Sequence, residues 1–160
     1  MKKFYQNNLV EFALIQLDKK YIWGAQGPDE FDCSGLTYYL YKELFNIDIN
    51  KDGYGIGDTT KQMTNNIGKL TKYKENDPQK LDYIKNINIG DLVFFHTQSI
   101  KDYTPTKTNR YPGHVGIYLG NNKFIHALES AGKVIISDIT EEKWLNTLVA
   151  TRNIINSIVI

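Results

Sequence analysis

The hydrophobic period of this chain changes once, at Leu92, and that change limits the folds open to it. Ahead of Leu92 the apolar residues recur at helical spacing. Residues 4–17 place Phe4, Val10, Phe12, Leu14, Ile15 and Leu17 loosely along one helix. Leu36, Leu40 and Leu44 follow at i, i+4 and i+8 behind Asp32, a residue type suited to cap a helix start. A loop over 23–29, rich in glycine and ending near Pro28, separates the two. From Leu92 onward the apolar runs are short and bounded by turn residues: 92–95, 114–119, 124–128, 134–136 and 148–155. Helices first and strands later predict an α+β domain with a small antiparallel sheet, not a doubly wound parallel one. A short polar helix is expected over 58–67, and 71–88 and 97–112 read as surface excursions.

The chain has 160 residues, 41% of them hydrophobic, enough for one domain over 1–160 with a substantial core. Nineteen basic against 18 acidic side chains leave a formal charge of +1, which excludes a nucleic-acid binder that works by neutralising many phosphates. It also excludes a disordered chain, which needs high net charge and low hydrophobicity. No stretch approaches the roughly 18 apolar residues that cross a bilayer. Lys2 and Lys3 are followed by a segment broken by Gln6, Asn7, Asn8 and Glu11, so no signal peptide is legible.

Cys33 is the sole cysteine, so no internal disulfide forms. A lone thiol is either a buried structural residue or a nucleophile. If Asp32 caps the helix, Cys33 sits in its first turn, where free N–H groups and the helix dipole favour a thiolate and lower its pKa. Gly35 is a poor helix residue unless another backbone must approach closely. A nucleophile needs a base, and the histidines are His96, His114 and His126. A two-residue turn at Asn121-Asn122 puts His114 and His126 on opposite faces of a hairpin. A three-residue turn over 120–122 pairs Gly116 with His126 and makes the two histidines diagonal neighbours, about 7–8 Å apart at Cα. That second register also gathers Val115, Ile117, Leu119, Ile125 and Ala127 on the other face, so the apolar pattern prefers it. Packed core rings and zinc ligands are the competing readings of such a pair, and no Cys-x-x-Cys or His-Glu-x-x-His spacing supports a metal.

Tyr21-Ile22-Trp23-Gly24, Gly27-Pro28 and Phe31-Asp32-Cys33-Ser34-Gly35-Leu36 together resemble the signature of NlpC-type cell-wall peptidases. Gly90-Asp91-Leu92-Val93-Phe94-Phe95, Gly113-His114-Val115-Gly116-Ile117-Tyr118-Leu119-Gly120 and Phe124-Ile125-His126-Ala127 follow in the family's order. Ala25 stands where the family has a second glycine, Ile89 replaces a proline, and the arginine of a block matched in part by residues 58–62 is missing. The resemblance implies a papain-like α+β fold and hydrolysis of peptidoglycan stem peptides, usually between D-γ-glutamate and diaminopimelate or lysine. It implies Cys33 as nucleophile, His114 as base and His126 as the group that orients the base. It further implies substrate contacts for Tyr21, Trp23, Asp32 and Ser34, with helix capping alone the favoured reading for Asp32 and a first-turn polar residue an equal one for Ser34. No metal or organic cofactor is implied.

The same scaffold also carries amidase and acyltransferase chemistry, and a silent wall-binding module is the reading from outside enzymes. Residues Tyr103, Arg110 and Tyr111 of the second excursion are expected to border the groove. With no leader legible, the expected settings are a phage-borne or otherwise exported wall enzyme, a chain trimmed of its leader, or one acting on imported wall peptides.

Overall fold

The computed structural model describes residues 1–50, 58–74, 77–96 and 113–159. In chain order its elements are α1 (Lys2–Ile15), β1 (Lys20–Tyr21), β2 (Glu30–Phe31), α2 (Cys33–Phe45), α3 (Thr59–Thr64), β3 (Lys69–Lys72) and α4 (Lys80–Tyr83). There follow β4 (Leu92–Phe95), β5 (His114–Gly120), β6 (Lys123–Leu128), β7 (Lys133–Asp138), α5 (Glu142–Thr147), β8 (Leu148–Asn153) and α6 (Ile155–Ile158). The strands form one sheet in the order β2-β1-β7-β6-β5-β4-β8-β3. Its pairings are antiparallel except β1 with β2. The α+β expectation therefore holds, but the sheet is larger than expected. The additional strands β1, β2 and β3 are two to four residues long and lie toward the sheet edges, where apolar alternation is not required. No helix among the described residues is long and apolar enough to cross a membrane.

All four residues of β4 are buried, and the reason is a core on each side of the sheet. Leu92 and Phe94 pack with Leu36, Leu40, Val115, Ile117, Ile125 and Ala127 beneath α1 and α2. Val93 and Phe95 pack the other way, with Tyr118, Phe124, Trp144 and Leu148. A strand covered on both faces reads as a continuous apolar run, as this one does. Each such side chain contributes about 1.5–3 kcal/mol by leaving water.

Two expectations are corrected. The described residues of the 71–88 excursion are not loosely packed: Ile84 and Ile87 enter the second core, and buried Lys80 donates from Nζ to the Leu148 carbonyl at 3.0 Å. The β5–β6 turn is the two-residue type, with Asn121 and Asn122 at φ 51° and 65° and Gly120 facing Lys123. Ahead of it the ladder nonetheless pairs Ile117 with Ile125 and Tyr118 with Phe124. A bulge at Leu119 absorbs the one-residue difference, so the predicted register is reached by another route. The excursion at 97–112, with Tyr103, Arg110 and Tyr111, lies outside the described residues.

Candidate active site

Helix α2 starts at Cys33 because Asp32 is extended and its carboxylate accepts from the Gly35 N–H at 2.7 Å. The other carboxylate oxygen accepts from the Gly24 N–H at 2.9 Å, and the Asp32 N–H donates to the Ala25 carbonyl. One side chain thus caps the helix and ties the preceding loop to it, a cap worth about 1 kcal/mol. The Ser34 hydroxyl also bonds Asp32. Both residues spend polar groups on the helix start itself. A Cβ on Gly35 would fall 2.0 Å from the Ala25 carbonyl oxygen, so the loop lies where only a glycine admits it.

The Cys33 thiol lies 3.8 Å from the Thr59 hydroxyl, with the Val115 and Ser34 backbones as hydrogen-bond partners. Val115 directly follows His114, so the sulfur abuts the start of β5. Burial pushes the thiol pKa up, the Asp32 charge adds to the rise, and the Thr59, Val115 and Ser34 hydrogen bonds oppose it. This overturns the expected lowering. A helix start contributes roughly 0.3–1 kcal/mol to a nearby anion, less than desolvating a thiolate costs. The alkylation rate of Cys33 by iodoacetamide is therefore expected to rise with a midpoint above the free-thiol value of about 8.5. A midpoint near pH 6 would contradict this.

The hairpin register brings His114 Nε2 within 2.7 Å of His126 Nδ1. His126 Nε2 continues the line to the Ser137 hydroxyl at 2.8 Å. Gly116, one step before Ile117 on the ladder, would place a Cβ only 3.1 Å from that of His126, so a side chain there would crowd the imidazole. Trp144 stacks on His114 at 5.6 Å between ring centres and meets His126 edge-on at 5.1 Å. Both histidines are buried. That burial lowers the His114 pKa to about 4; His126 is lowered further, by burial first and then by the positive charge that His114 or Lys143 can carry. The pair is neutral at pH 7. Among the described residues no three His, Cys, Asp or Glu side chains are grouped to hold a metal ion.

Of the remaining predicted residues, Tyr21 is half-buried, and its phenol is pushed up to about 12 by burial, then by Cys33, Asp32 and Glu129. Trp23 is 84% exposed. Several supporting residues escaped the sequence reading. Ser137 falls just past the apolar run expected at 134–136, opposite Phe124. Trp144 sits in a polar segment whose pattern does not say what the indole covers. Gln62, which ends the partly matched block at 58–62, donates to the Ser34 carbonyl at 2.9 Å and accepts from Thr37 at 2.6 Å, a role the sequence did not show. Arg152 of β8 donates to the carbonyls of Gln62, Met63 and Ile67 at the end of α3, the helix that carries Thr59. A groove of about 910 Å³ between β3, β8 and residues 83–91 includes none of Cys33, His114, His126 and Ser137; the chemistry, not the volume, locates the site.

A family model described as NlpC/P60 matches residues 18–153. Murein DD-endopeptidase MepH of Escherichia coli is 33% identical over 140 residues, 87% of this chain and 42% of the relative. The probable endopeptidase YafL of the same organism is 29% identical over 93% of this chain and 51% of its own length. The chain thus spans about half the length of these curated relatives. Among solved structures, NlpC2 from Trichomonas vaginalis superposes with a TM-score of 0.65 at 28% identity, over 94% of this chain and 47% of that one. A domain match of this extent, on the fold just described, assigns the chain to the NlpC/P60 family.

Proposed function

We propose that this chain is a cysteine-type hydrolase of peptidoglycan stem peptides, cutting the bond between D-γ-glutamate and diaminopimelate or lysine. The observation that carries the reading is the thiol of Cys33 at a helix start, against strand β5, whose first residue His114 is hydrogen-bonded to His126 of β6. MepH, named a murein DD-endopeptidase, supports the substrate class. Cys33 is the nucleophile, His114 the base, and His126 the group that orients it.

Burial favours the neutral form of both thiol and imidazole, so the resting pair is uncharged. The His114 ring takes the thiol proton as the sulfur attacks the scissile carbonyl. Backbone N–H groups at the start of α2 receive the oxyanion. His114 then gives the proton to the leaving amine as the C–N bond breaks, and water hydrolyses the thioacyl-enzyme. Tyr21, beside Cys33, and exposed Trp23 flank the route along which a peptide would lie.

Digesting purified cross-linked peptidoglycan and weighing the fragments tests the reading. Fragments ending in D-glutamate are expected. Opened D,D cross-links, the activity in the name of MepH, would move the cut to another bond. Release of whole stems from the glycan would indicate an amidase, and binding without any cut a wall-binding module.

A further inference from the structure

We infer that Ser137 is a positioning residue for the histidine pair: its hydroxyl accepts a hydrogen bond from Nε2 of His126 and so stabilises the arrangement in which each ring carries its proton on Nε2. The inference rests on reading His114 as the base.

A neutral imidazole has one N–H and one lone pair, and the bond made by one nitrogen settles the state of the other. Nε2 of His114 is engaged by His126, which leaves Nδ1 as the nitrogen to take a proton from Cys33. For Nδ1 to be a lone pair, the proton of His114 must sit on Nε2 and be donated to Nδ1 of His126. His126 then carries its own proton on Nε2, pointing at Ser137 2.8 Å away. The reverse arrangement puts a proton on Nδ1 of both rings and removes the base.

Ser137 biases the choice because His126 is fully buried. An orphaned buried N–H costs more than an under-used acceptor, so without the hydroxyl the ring shifts toward the arrangement with a bare Nε2. The strand register supplies the hydroxyl: β6 and β7 pair Phe124 with Ser137 and His126 with Ile135, making Ser137 the diagonal neighbour of His126. Among the described residues no carboxylate bonds either ring. Lys143 of α5 and His114 of β5 are the charged or titratable groups acting on His126, and both disfavour a second proton on it.

Threonine and valine at position 137 have the same shape and differ in the hydroxyl, and the added bulk keeps water from replacing it. Ser137→Val is expected to lower kcat on stem peptides by about 10–100-fold with KM little changed, the scale on which removing the hydrogen-bond partner of a metal-ligating histidine acts. Ser137→Thr should restore most of the loss. In the resting protein, ¹⁵N NMR of the imidazoles should show the Nε2–H form of His126 in the wild type and Ser137→Thr, and a shift toward Nδ1–H in Ser137→Val. Equal losses in both variants would reduce Ser137 to a packing residue, and a Nδ1–H form in the wild type would overturn the inference. If His114→Ala kept full activity, the base reading would fail, while the NMR result would still decide the hydrogen bond.

Discussion

Cys33→Ala is expected to lower stem-peptide hydrolysis by about 10⁴–10⁶-fold, His114→Ala by nearly as much, and the double variant by no more than either alone. The two groups act in the same steps: without the thiol the ring has no proton to take, and without the ring the half-buried thiol has no base. His114 is 5% exposed and stacked on Trp144, so its loss also opens a cavity. Large-to-small changes in such sites cost about 2–5 kcal/mol, and thermal melts must accompany the rates. Cys33→Ala removes one atom and should leave the fold intact, so it carries the kinetic argument. Additive losses in the double variant would separate the two residues into different steps. His126→Asn has a donor and an acceptor but is too short to reach both His114 and Ser137, so it should keep a small fraction of the activity.

Gly35→Ala is the second change of large effect, and it acts through the backbone. The new Cβ would lie 2.0 Å from the Ala25 oxygen, 2.7 Å from Asp32 Oδ1 and 3.0 Å from the Ala25 carbonyl carbon. The two Ala25 atoms are backbone, and Asp32 Oδ1 is held by the capping hydrogen bond, so the loop must move off the helix start. Overpacking of this kind costs about 1–3 kcal/mol, and more where backbone is involved. The displaced loop also carries Trp23 and the Gly24–Asp32 hydrogen bond. A shift of about 1 Å beside a nucleophile lowers rate by about 100-fold. Urea denaturation and kcat measured together check this: an unchanged midpoint and rate would show that the loop is not pinned as described.

The legible parts of this molecule are those where local pattern and tertiary role coincide. Asp32 looks like a cap and is one, and Gly35 looks misplaced in a helix because a loop passes over it. Val115, Ile117, Ile125 and Ala127 announced the hairpin face correctly, and through it the meeting of the two histidines. The route was not legible, since a bulge at Leu119 and a turn at Asn121-Asn122 reach the same pairing as a longer turn. Short edge strands such as Lys69–Lys72 left no hydrophobic trace, because they are held by backbone pairing with β8. The second core was hidden for a different reason. Its members are scattered from Ile84 to Leu148, and only the fold brings Trp144 over both histidines. The reversed thiol expectation has a similar cause: a helix start can be read from residues 32–36, but the neighbours that bury the thiol, such as Thr59 and Val115, come from distant chain.

The central claim, a thioacyl-enzyme on Cys33, is tested most directly by intact-mass analysis of acid-quenched protein. The substrate is a stem peptide with an ester in place of the scissile amide, chosen so that acylation outruns hydrolysis. The account predicts a mass gain equal to the acyl half of the peptide, mapped to the fragment that contains Cys33 and lost in Cys33→Ala. An adduct on another residue, or ester turnover by Cys33→Ala at the wild-type rate, would contradict it.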